Sequence, residues 1–376
     1  MALEFERKLH MSHALPGKIP LLKSMPNSRT TLNRILIRSC TRRIWTAAGA
    51  IALLILASAQ LHAVSCTTES ALQPTDREAM LAAGNSIAGD VTGQNFEHLQ
   101  AALLPAVIGE WESIRGVAQG AAPLLKGGKI SWADGYLLDA SDLKSSADTE
   151  FFCTNADSAV TMTITLRSLP AGKYALLIGD SEGAPLAGQM ALILGTDATA
   201  NGKWRLGGLF VREGALDGHD GIWYWRRARE LAQKKAVWSA WFSFDTARWL
   251  LLPVDFLSSP HLEKLNKEQS LLGPNPADSL PLTVSGPAET GTTPPKSWRI
   301  TALRLDTTLH EPDLSLVYES TGLTEPVAAR VEAIAVMSAL LKAHPELREN
   351  FHGLWAYAEK DGKQSYAIEQ AMHDIP

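Results

Sequence analysis

The chain has 376 residues, of which 45% are hydrophobic and 20% are charged, and its formal net charge is −5. This composition is typical of a globular protein, so it excludes disorder, collagen-like structure and coiled coil as descriptions of the whole chain. Three cysteines are too few for a disulfide-rich scaffold or a four-thiolate metal site.

The N-terminal region has the layout of an export signal. Residues 1–43 carry nine Lys or Arg residues and two acidic residues, whereas residues 44–65 carry no fixed charge. This order is typical of a secretory signal, because the positive charge stays cytoplasmic while the short apolar core enters the export machinery. We therefore expect residues 1–65 to be an N-terminal extension with a signal or anchor segment. The protein itself is expected in the periplasm or at the cell-envelope membrane.

Two features leave the start of the chain and its export route open. Met11 and Met25 are possible later starts, and a start at Met25 would give a signal of conventional length. Arg42 and Arg43, placed just before the apolar core, partly resemble a twin-arginine signal, which implies export of a folded chain.

The tetrapeptide Ala63-Val64-Ser65-Cys66 resembles a bacterial lipoprotein box, although that family usually has Leu where this chain has Ala63. The resemblance implies that Cys66 is lipidated and that acyl chains anchor the protein to a membrane. The alternatives are ordinary cleavage after Ala63 or Ser65, or an uncleaved N-terminal helix as the anchor. Without lipidation, Cys66 could pair with Cys153 in an oxidising compartment. For Cys153 we favour a buried thiol that acts as a small hydrophobic side chain.

The charge of the exported part argues against nucleic acid as a partner. Removal of residues 1–65 leaves 26 basic and 38 acidic residues, a net charge of −12. Phosphate binding needs clustered cations. The nearest basic run, Arg226 to Arg229, is interpreted as a solvated helix face.

Helices are predicted at the start of the mature chain. Residues 67–74 are expected to be a polar tether, and Thr75-Asp76-Arg77-Glu78 fits a capping box at the start of a helix. Gly84 and Gly89 weaken the later turns of that helix. Further helices are expected at about 96–104 and at about 105–117.

Strands are predicted after Gly128, at 129–138, 150–154, 159–166, 173–178, 189–194 and 203–211. Helices followed by strands on short loops favour an α+β fold. We expect residues 66–216 to form a domain in which helices pack on a curved antiparallel sheet. This order of elements, over about 75–215, resembles the cone-shaped fold of nuclear-transport-factor-like and cystatin-like domains. That family includes enzymes, ligand carriers and accessory domains, so the resemblance does not indicate one function.

Residues 217–272 are expected to form a Trp-rich helical hairpin, with helices at 222–234 and 236–252. The spacing of large and small side chains resembles one tetratricopeptide repeat, in which small residues let antiparallel helices approach closely. The residues that carry this resemblance are Tyr224, Ala228, Leu231, Ala240, Phe244 and Ala247.

Residues 273–296 contain six prolines and are predicted to be a linker or surface loop. Residues 297–376 are predicted to be a small α+β module with a hairpin at 298–308 and 314–318 and a helix at 327–341. The expected buried face of that helix consists of Val327, Val331, Ile334, Ser338 and Leu341. A second hairpin, at 354–359 and 364–368, is predicted around Asp361-Gly362.

Ser181 lies in Gly179-Asp180-Ser181-Glu182-Gly183, which matches the G-x-S-x-G motif of α/β-hydrolases. That motif needs a helix directly after the serine, whereas Pro185 and Gly188 follow here. An exposed hairpin turn is therefore the favoured interpretation. If Ser181 were a nucleophile, its partners would be Asp217 or Asp255, then His261 or His310.

The segment 218–225 combines His219 and Asp220 with Trp223 and Trp225. One interpretation is a ligand platform, in which the rings stack on a sugar while His219 and Asp220 hydrogen-bond to it. The other is a helix start capped by Asp220 with buried aromatic rings. The following tryptophans are expected in the core: Trp238, Trp241 and Trp249.

The histidines and glycines show no metal-ligand or phosphate-loop spacing, so no cofactor and no metal is predicted. Three histidines are interpreted as surface residues: His344, His352 and His373. The leading hypothesis is a non-catalytic exported envelope protein, a probable lipoprotein, that binds a protein partner or a small ligand. The alternatives are a serine hydrolase that uses Ser181 and a carbohydrate-binding protein that uses Trp223 and Trp225.

Overall fold

The computed structural model describes residues 64–154, 160–273, 275–287, 295–322 and 325–376. The predicted signal, the possible later starts and the twin-arginine pair lie outside these residues. The part from residue 64 onward belongs to one compact unit with an α+β fold. Within the described residues, no helix has the length and hydropathy needed to cross a membrane.

The N-terminal helical layer consists of α1 (Pro74–Thr92), α2 (Phe96–Ala101), α3 (Trp111–Gly120) and α4 (Ala122–Leu125). Short 3-10 turns lie at Glu69–Ala71, Pro105–Glu110, Ala198–Ala200, Pro276–Ser279, Pro345–Glu349 and Met372–Asp374. The helix predicted from Pro105 is therefore split into a 3-10 turn and α3.

Two predictions at the start of this region are wrong. The segment expected to be a tether, residues 67–74, begins with the last two residues of strand β1 (Ser65–Thr68), which pairs with β2 (Lys129–Asp139). The expected capping box is absent, because α1 begins at Pro74 and no side chain caps it. Proline suits the first turn of a helix, where its missing N–H would have no partner. Thr75 therefore lies inside the helix.

The strands of this region form two antiparallel sheets, ordered β1-β2-β5-β6-β7 and β10-β4-β3. The six predicted strands are all present, but β3 and β4 leave the main sheet and pair with each other. Their bounds are β2 (Lys129–Asp139), β3 (Ala147–Thr154), β4 (Thr161–Leu169), β5 (Lys173–Glu182), β6 (Gly188–Asp197), β7 (Lys203–Glu213) and β10 (Leu257–Ser258).

Alternate residues of a strand point to opposite faces of its sheet. In the main sheet, both faces are buried. On β5, Ala175 and Leu177 belong to the core beneath the helical layer. Leu176 and Ile178 belong to a second core, which they share with Phe151 and other residues of the three-stranded sheet. This arrangement explains why β5 is apolar in consecutive positions.

A disulfide bond joins Cys66 on β1 to Cys153 on β3. The favoured interpretation of Cys153 as a free buried thiol is therefore wrong. The bond uses the same Cys66 sulfur that a lipid anchor would need.

The predicted helical hairpin is present as α5 (Gly221–Gln233) and α6 (Val237–Leu251), and α7 (Pro260–Ser270) packs against α6. A two-residue hairpin precedes it, formed by β8 (Ala215–Leu216) and β9 (His219–Asp220). Helix α6 is buried on several sides. Its residues contribute both to the core around α5 and, through Phe242, to the C-terminal core.

The C-terminal sheet has the order β11-β12-β13-β14-β15, and its bounds are β11 (Leu282–Ser285), β12 (Ser297–Asp306), β13 (Asp313–Glu319), β14 (Gly353–Lys360) and β15 (Lys363–Ala371). Strand β11 lies inside the segment predicted as a linker, so that prediction is wrong for these four residues. Strands β13 and β14 are parallel and are connected through helix α8 (Pro326–Ala343).

The buried face of α8 differs from the prediction. Val327 and Val331 are 68% and 63% exposed. Of the predicted face only Leu341 is fully buried, and the other buried residues of the helix are Ala329, Glu332, Ala333, Val336, Met337, Ala339 and Leu340. Small side chains let the helix lie close to the sheet, and an apolarity pattern that gives weight to large residues misses this face.

Candidate functional site

Ser181 lies near the end of β5, where its strand partner is Ile130. The residue is 9% exposed, and its hydroxyl oxygen is buried without a hydrogen-bond partner. The chain turns only at Gly183, which has a φ of 80°. Ser181 is therefore a buried strand residue, and the prediction of an exposed turn at this position is wrong.

The structure does not bring the proposed hydrolase partners to Ser181. Asp217 lies in the β8–β9 turn with a φ of 48°. Asp255 pairs with Arg212 at 2.9 Å. His310 Nδ1 lies 3.6 Å from Glu213 Oε1, and His261 is an exposed residue of α7.

The His219–Trp223 cluster forms the start of α5. The Asp220 carboxylate caps the helix by accepting a hydrogen bond from the Trp223 N–H at 2.7 Å. The His219 ring stacks on the Trp223 indole, with centroids 3.8 Å apart and planes 4° apart. Trp223 remains 39% exposed, and its neighbour Ile222 is 42% exposed.

Trp225 does not share this environment. It is 8% exposed, its indole N–H donates to Glu268 at 2.8 Å, and the Arg229 guanidinium lies 4.6 Å from its ring centroid. The two tryptophans predicted to form one platform therefore face different surroundings, and Trp225 is a structural residue of the helical region.

A second cluster, which the sequence analysis did not predict, lies at one end of the C-terminal sheet. It consists of Asp313, His352 and Glu369, whose potential ligand atoms all lie within 4.8 Å of one another. Asp313 is fully buried, His352 is exposed and Glu369 is partly buried. We call these three residues the carboxylate–histidine cluster.

The topology of the sheet places these residues together. Asp313 begins β13, and His352 directly precedes β14. Leu314 and Leu354 are register partners in the parallel pair, so the starts of both strands meet at one edge. Glu369 on β15 is opposite Trp355.

Each member of the cluster except Glu369 has a defined polar partner. Asp313 accepts hydrogen bonds from the Trp355 indole N–H at 3.1 Å and lies 3.3 Å from His352 Nδ1. The same Nδ1 atom lies 2.9 Å from a carboxylate oxygen of Glu311. Glu369 Oε1 is buried, and no group in the described part of the chain hydrogen-bonds to it.

The cluster raises the pKa of its carboxyl groups. Burial raises the pKa of Asp313 despite hydrogen bonds from Trp355 and His352. Burial also raises the pKa of Glu369, and the negative charge of Asp313 adds to the effect. Two carboxylates held this close favour either a shared proton or a bound cation.

The cluster was missed because its members are far apart in the sequence and form no compact motif. His352 was correctly interpreted as a surface residue, since it is exposed, but the sequence did not show that its ring pairs with Glu311 and Asp313. The sequence contains one signal for this cluster, which is that Asp313 and His352 each lie within two residues of the start of a predicted strand. It becomes informative only when β13 and β14 are known to be parallel neighbours.

A groove with a volume of about 530 Å³ lies between α1 and the main sheet. It is lined by residues that include Asp76, Lys173, Lys203 and Trp204, and by none of the predicted site residues. The groove therefore belongs to neither the His219–Trp223 cluster nor the carboxylate–histidine cluster.

No protein-family model, curated protein or solved structure matches this chain.

Proposed function

We propose that this chain is a non-catalytic protein of the bacterial cell envelope that is exported from the cytoplasm and binds a protein partner or a small ligand. The observation that carries the export part is the disulfide between Cys66 and Cys153. Disulfides persist in oxidising compartments and are rare in the reducing cytosol. The bond therefore supports the same compartment as the basic and apolar N-terminal segments.

The same observation changes the proposed mode of attachment. One sulfur atom cannot form both a thioether to lipid and a disulfide, so we propose the disulfide for Cys66. Membrane attachment, if retained, then depends on the apolar segment within residues 44–65. The intact mass of the mature protein separates the two chemistries, because a diacylglyceryl adduct on Cys66 would contradict the disulfide.

Thiol trapping in intact cells tests the export proposal. Cells are quenched with acid, and free thiols are labelled with a large maleimide before and after reduction. We expect Cys66 and Cys153 to react only after reduction. The matched control lacks residues 44–65, stays in the cytosol, and is expected to have both thiols reactive without reduction. Full-length product in the cytosol with reduced Cys66 and Cys153 would contradict the proposal.

The non-catalytic part of the proposal is supported by the surroundings of Ser181. Its hydroxyl is buried, and none of the described residues hydrogen-bonds to it. A serine nucleophile needs a base within hydrogen-bond reach. A fluorophosphonate probe is expected to leave the purified protein unlabelled. Labelling that disappears in Ser181→Ala would favour the hydrolase alternative instead.

The binding part of the proposal is supported by the exposed Ile222 and Trp223 beside His219. Exposed aromatic residues are enriched among the residues that dominate binding energy. We expect Trp223→Ala to weaken binding at least tenfold in co-purification from envelope extracts or in titrations with glycans. Phe152→Ala is the matched control, because Phe152 is an aromatic residue that is 63% exposed on β3. Equal binding by the two variants would contradict a role for Trp223.

A further inference from the structure

We infer that the carboxylate–histidine cluster, Asp313, His352 and Glu369, binds one divalent transition-metal ion of the zinc class. This inference does not depend on the proposed function. Imidazole nitrogen together with carboxylate oxygen is a donor set that suits Zn²⁺ and its neighbours. Three protein ligands leave a fourth position for water, as in open zinc sites.

The spacing of the donors fits a metal ion of this size. His352 Nδ1 and Asp313 Oδ1 lie 3.3 Å apart, and the donor atoms of all three residues lie within 4.8 Å of one another. In a tetrahedron with metal–ligand bonds of about 2.0–2.1 Å, neighbouring ligand atoms are about 3.3–3.4 Å apart. The His352–Asp313 pair therefore already has the separation of one tetrahedral edge, and Glu369 needs only a small movement.

A second observation is the buried oxygen of Glu369. Glu369 Oε1 is shielded from solvent and has no hydrogen-bond partner among the described residues. Most buried polar atoms in proteins have a partner, because an unpaired one keeps its full desolvation cost. A cation between Glu369 and the fully buried Asp313 would supply the missing partner for this oxygen.

A third observation is the glycine at the base of the cluster. A Cβ atom on Gly353 would overlap Glu369 Oε1 and would lie 3.0 Å from Asp313 Oδ1. Its φ is not in the left-handed region, so the backbone conformation does not require glycine there. The absence of a side chain at Gly353 therefore lets the carboxylate oxygens of Asp313 and Glu369 approach each other beside its backbone.

The charges around the carboxylate–histidine cluster also favour a bound cation. Glu311 and Asp374 add negative charge close to Glu369. Only His352 offers positive charge among the three clustered residues, and only when it is protonated. A divalent ion neutralises both carboxylates. In the metal-bound state His352 Nδ1 carries no proton, because only an unprotonated ring nitrogen can ligate.

Calorimetric titration of the purified full chain with ZnCl₂, after treatment with EDTA, tests this inference. We expect one Zn²⁺ per chain, bound at micromolar or lower concentration. Glu369→Gln should weaken binding at least tenfold, since it removes a charged ligand. Gly353→Ala keeps all three ligands but displaces Glu369, and it should weaken binding at least tenfold as well.

The matched control is Glu346→Gln. Glu346 lies 3.5 Å from His344 Nδ1, which gives a histidine–carboxylate pair outside the cluster. We expect this variant to bind Zn²⁺ like the original protein. Thermal denaturation provides a second readout, because Zn²⁺ should raise the melting temperature of the original protein and not that of Glu369→Gln.

Two results would overturn the inference. One is the absence of stoichiometric Zn²⁺ binding, which would leave Asp313 and Glu369 as a pair that shares a proton. The other is equal affinity in the original protein, Glu369→Gln and Gly353→Ala. That result would assign binding to scattered surface histidines. Circular dichroism of each variant confirms that a loss of binding is not a loss of folding.

Discussion

Glu332 is a charged residue in the interior of the C-terminal module. Its side chain is 2% exposed, and the carboxylate accepts hydrogen bonds from the Lys296 ammonium at 2.8 Å, the Ser320 hydroxyl at 2.8 Å and the Trp298 indole N–H at 3.2 Å. Burial by itself raises the pKa of Glu332, but these hydrogen bonds outweigh it and hold the pKa below its ordinary value. The carboxylate thus connects α8 to β12 and to the end of β13.

We predict that Glu332→Gln lowers the free energy of unfolding by about 2 kcal/mol at pH 7, because hydrogen bonds to a charged group are lost. The pKa of Glu332 is lower in the folded protein, so its stabilising effect is present above the ordinary pKa of 4.5 and is lost as the pH falls through the folded value. Urea unfolding of both proteins between pH 7 and pH 3 should therefore show a difference that shrinks towards acid.

Glu319→Gln is the control for this prediction. Glu319 pairs with Arg299, and both side chains are about half exposed. Exposed ion pairs contribute about 0–1 kcal/mol, so we expect a loss below about 1 kcal/mol. Equal losses in the two variants would contradict the importance of burial.

Ser181 provides a prediction of the opposite sign. Its buried hydroxyl has no partner, so Ser181→Ala should leave the free energy of unfolding unchanged or raise it by about 1 kcal/mol. Ser243 is a matched control, since it is buried and its hydroxyl donates to Asn350 at 2.9 Å. Ser243→Ala should lower the free energy by about 1 kcal/mol in the same urea titration. A larger loss in Ser181→Ala than in Ser243→Ala would contradict this prediction.

Single residues were predictable where local backbone chemistry alone decides the structure. Asp361 and Gly362 have φ values of 51° and 71°, which is the hairpin turn expected from Asp-Gly. The capping role proposed for Asp220 is likewise present. Glu332 and Glu369 could not be placed from the sequence, since the groups that surround them come from elements distant in the chain.

At the scale of elements, α1 shows how one helix uses two glycines differently. Gly84 is buried, and a Cβ there would overlap Leu177 and lie 3.3 Å from the Trp132 ring. Gly89 is exposed, and no atom lies within 4 Å of the corresponding position. The helix continues through both residues, because its packing against the sheet compensates for weak helix propensity.

We predict that Gly89→Ala raises the free energy of unfolding by about 0.5–1 kcal/mol, which is the difference in helix propensity. Gly84→Ala should lower it by about 1–3 kcal/mol, because overpacking forces the helix away from β5. Each variant is the control for the other, since both lie in the same helix. Urea unfolding measures both, and changes of the same sign would contradict the assigned packing.

The disulfide links two elements from different sheets. Cys66 and Cys153 are 87 residues apart in the sequence, and a loop of this length predicts a stabilisation of about 4–5 kcal/mol from chain entropy. Cys66→Ala and Cys66→Ala/Cys153→Ala should therefore lose similar amounts, and reductant should bring the original protein to a similar level. A protein whose melting temperature is insensitive to reductant would contradict the bond.

At this scale the sequence predicted most elements correctly, because strand and helix periodicity are local properties. It did not predict how the strands divide among sheets. Strand β3 alternates in burial like any half-buried strand, and this pattern does not reveal that β3 pairs with β4 alone, or that β10 covers the other edge of β4. β11 was missed because the prolines around it indicate a loop.

At the scale of the whole molecule, α6 joins the first half of the chain to the last. Phe242 packs in the C-terminal core, with its ring centroid 5.6 Å from that of Phe351. The hydroxyls of Ser239 and Ser243 donate to Glu346 and Asn350 at 2.7 Å and 2.9 Å. Helix α6 is therefore a structural connector. The tryptophans predicted in the core, Trp238, Trp241 and Trp249, are only partly buried and pack against the margins of these cores.

We predict that Phe242→Ala lowers the free energy of unfolding by about 3–5 kcal/mol. Unfolding should remain a single transition when followed by circular dichroism and by tryptophan fluorescence, because the cores share α6. Phe152→Ala, at an exposed phenylalanine, should change the free energy by less than about 0.5 kcal/mol. Two separated transitions in the original protein would contradict this coupling.

Strand β1 has a consequence for the order in which the molecule can assemble. Its register partner for Ser65 is Asp139, and its covalent partner is Cys153. When the polypeptide emerges from a ribosome or a translocation channel, β1 emerges before the other strands, and Ser65 can pair with Asp139 only after more than seventy later residues have followed. Until then, β1 is an unpaired strand that chaperones and proteases can reach. Strand β1 is thus synthesised well before the residues that pair with it and the cysteine that bonds to it.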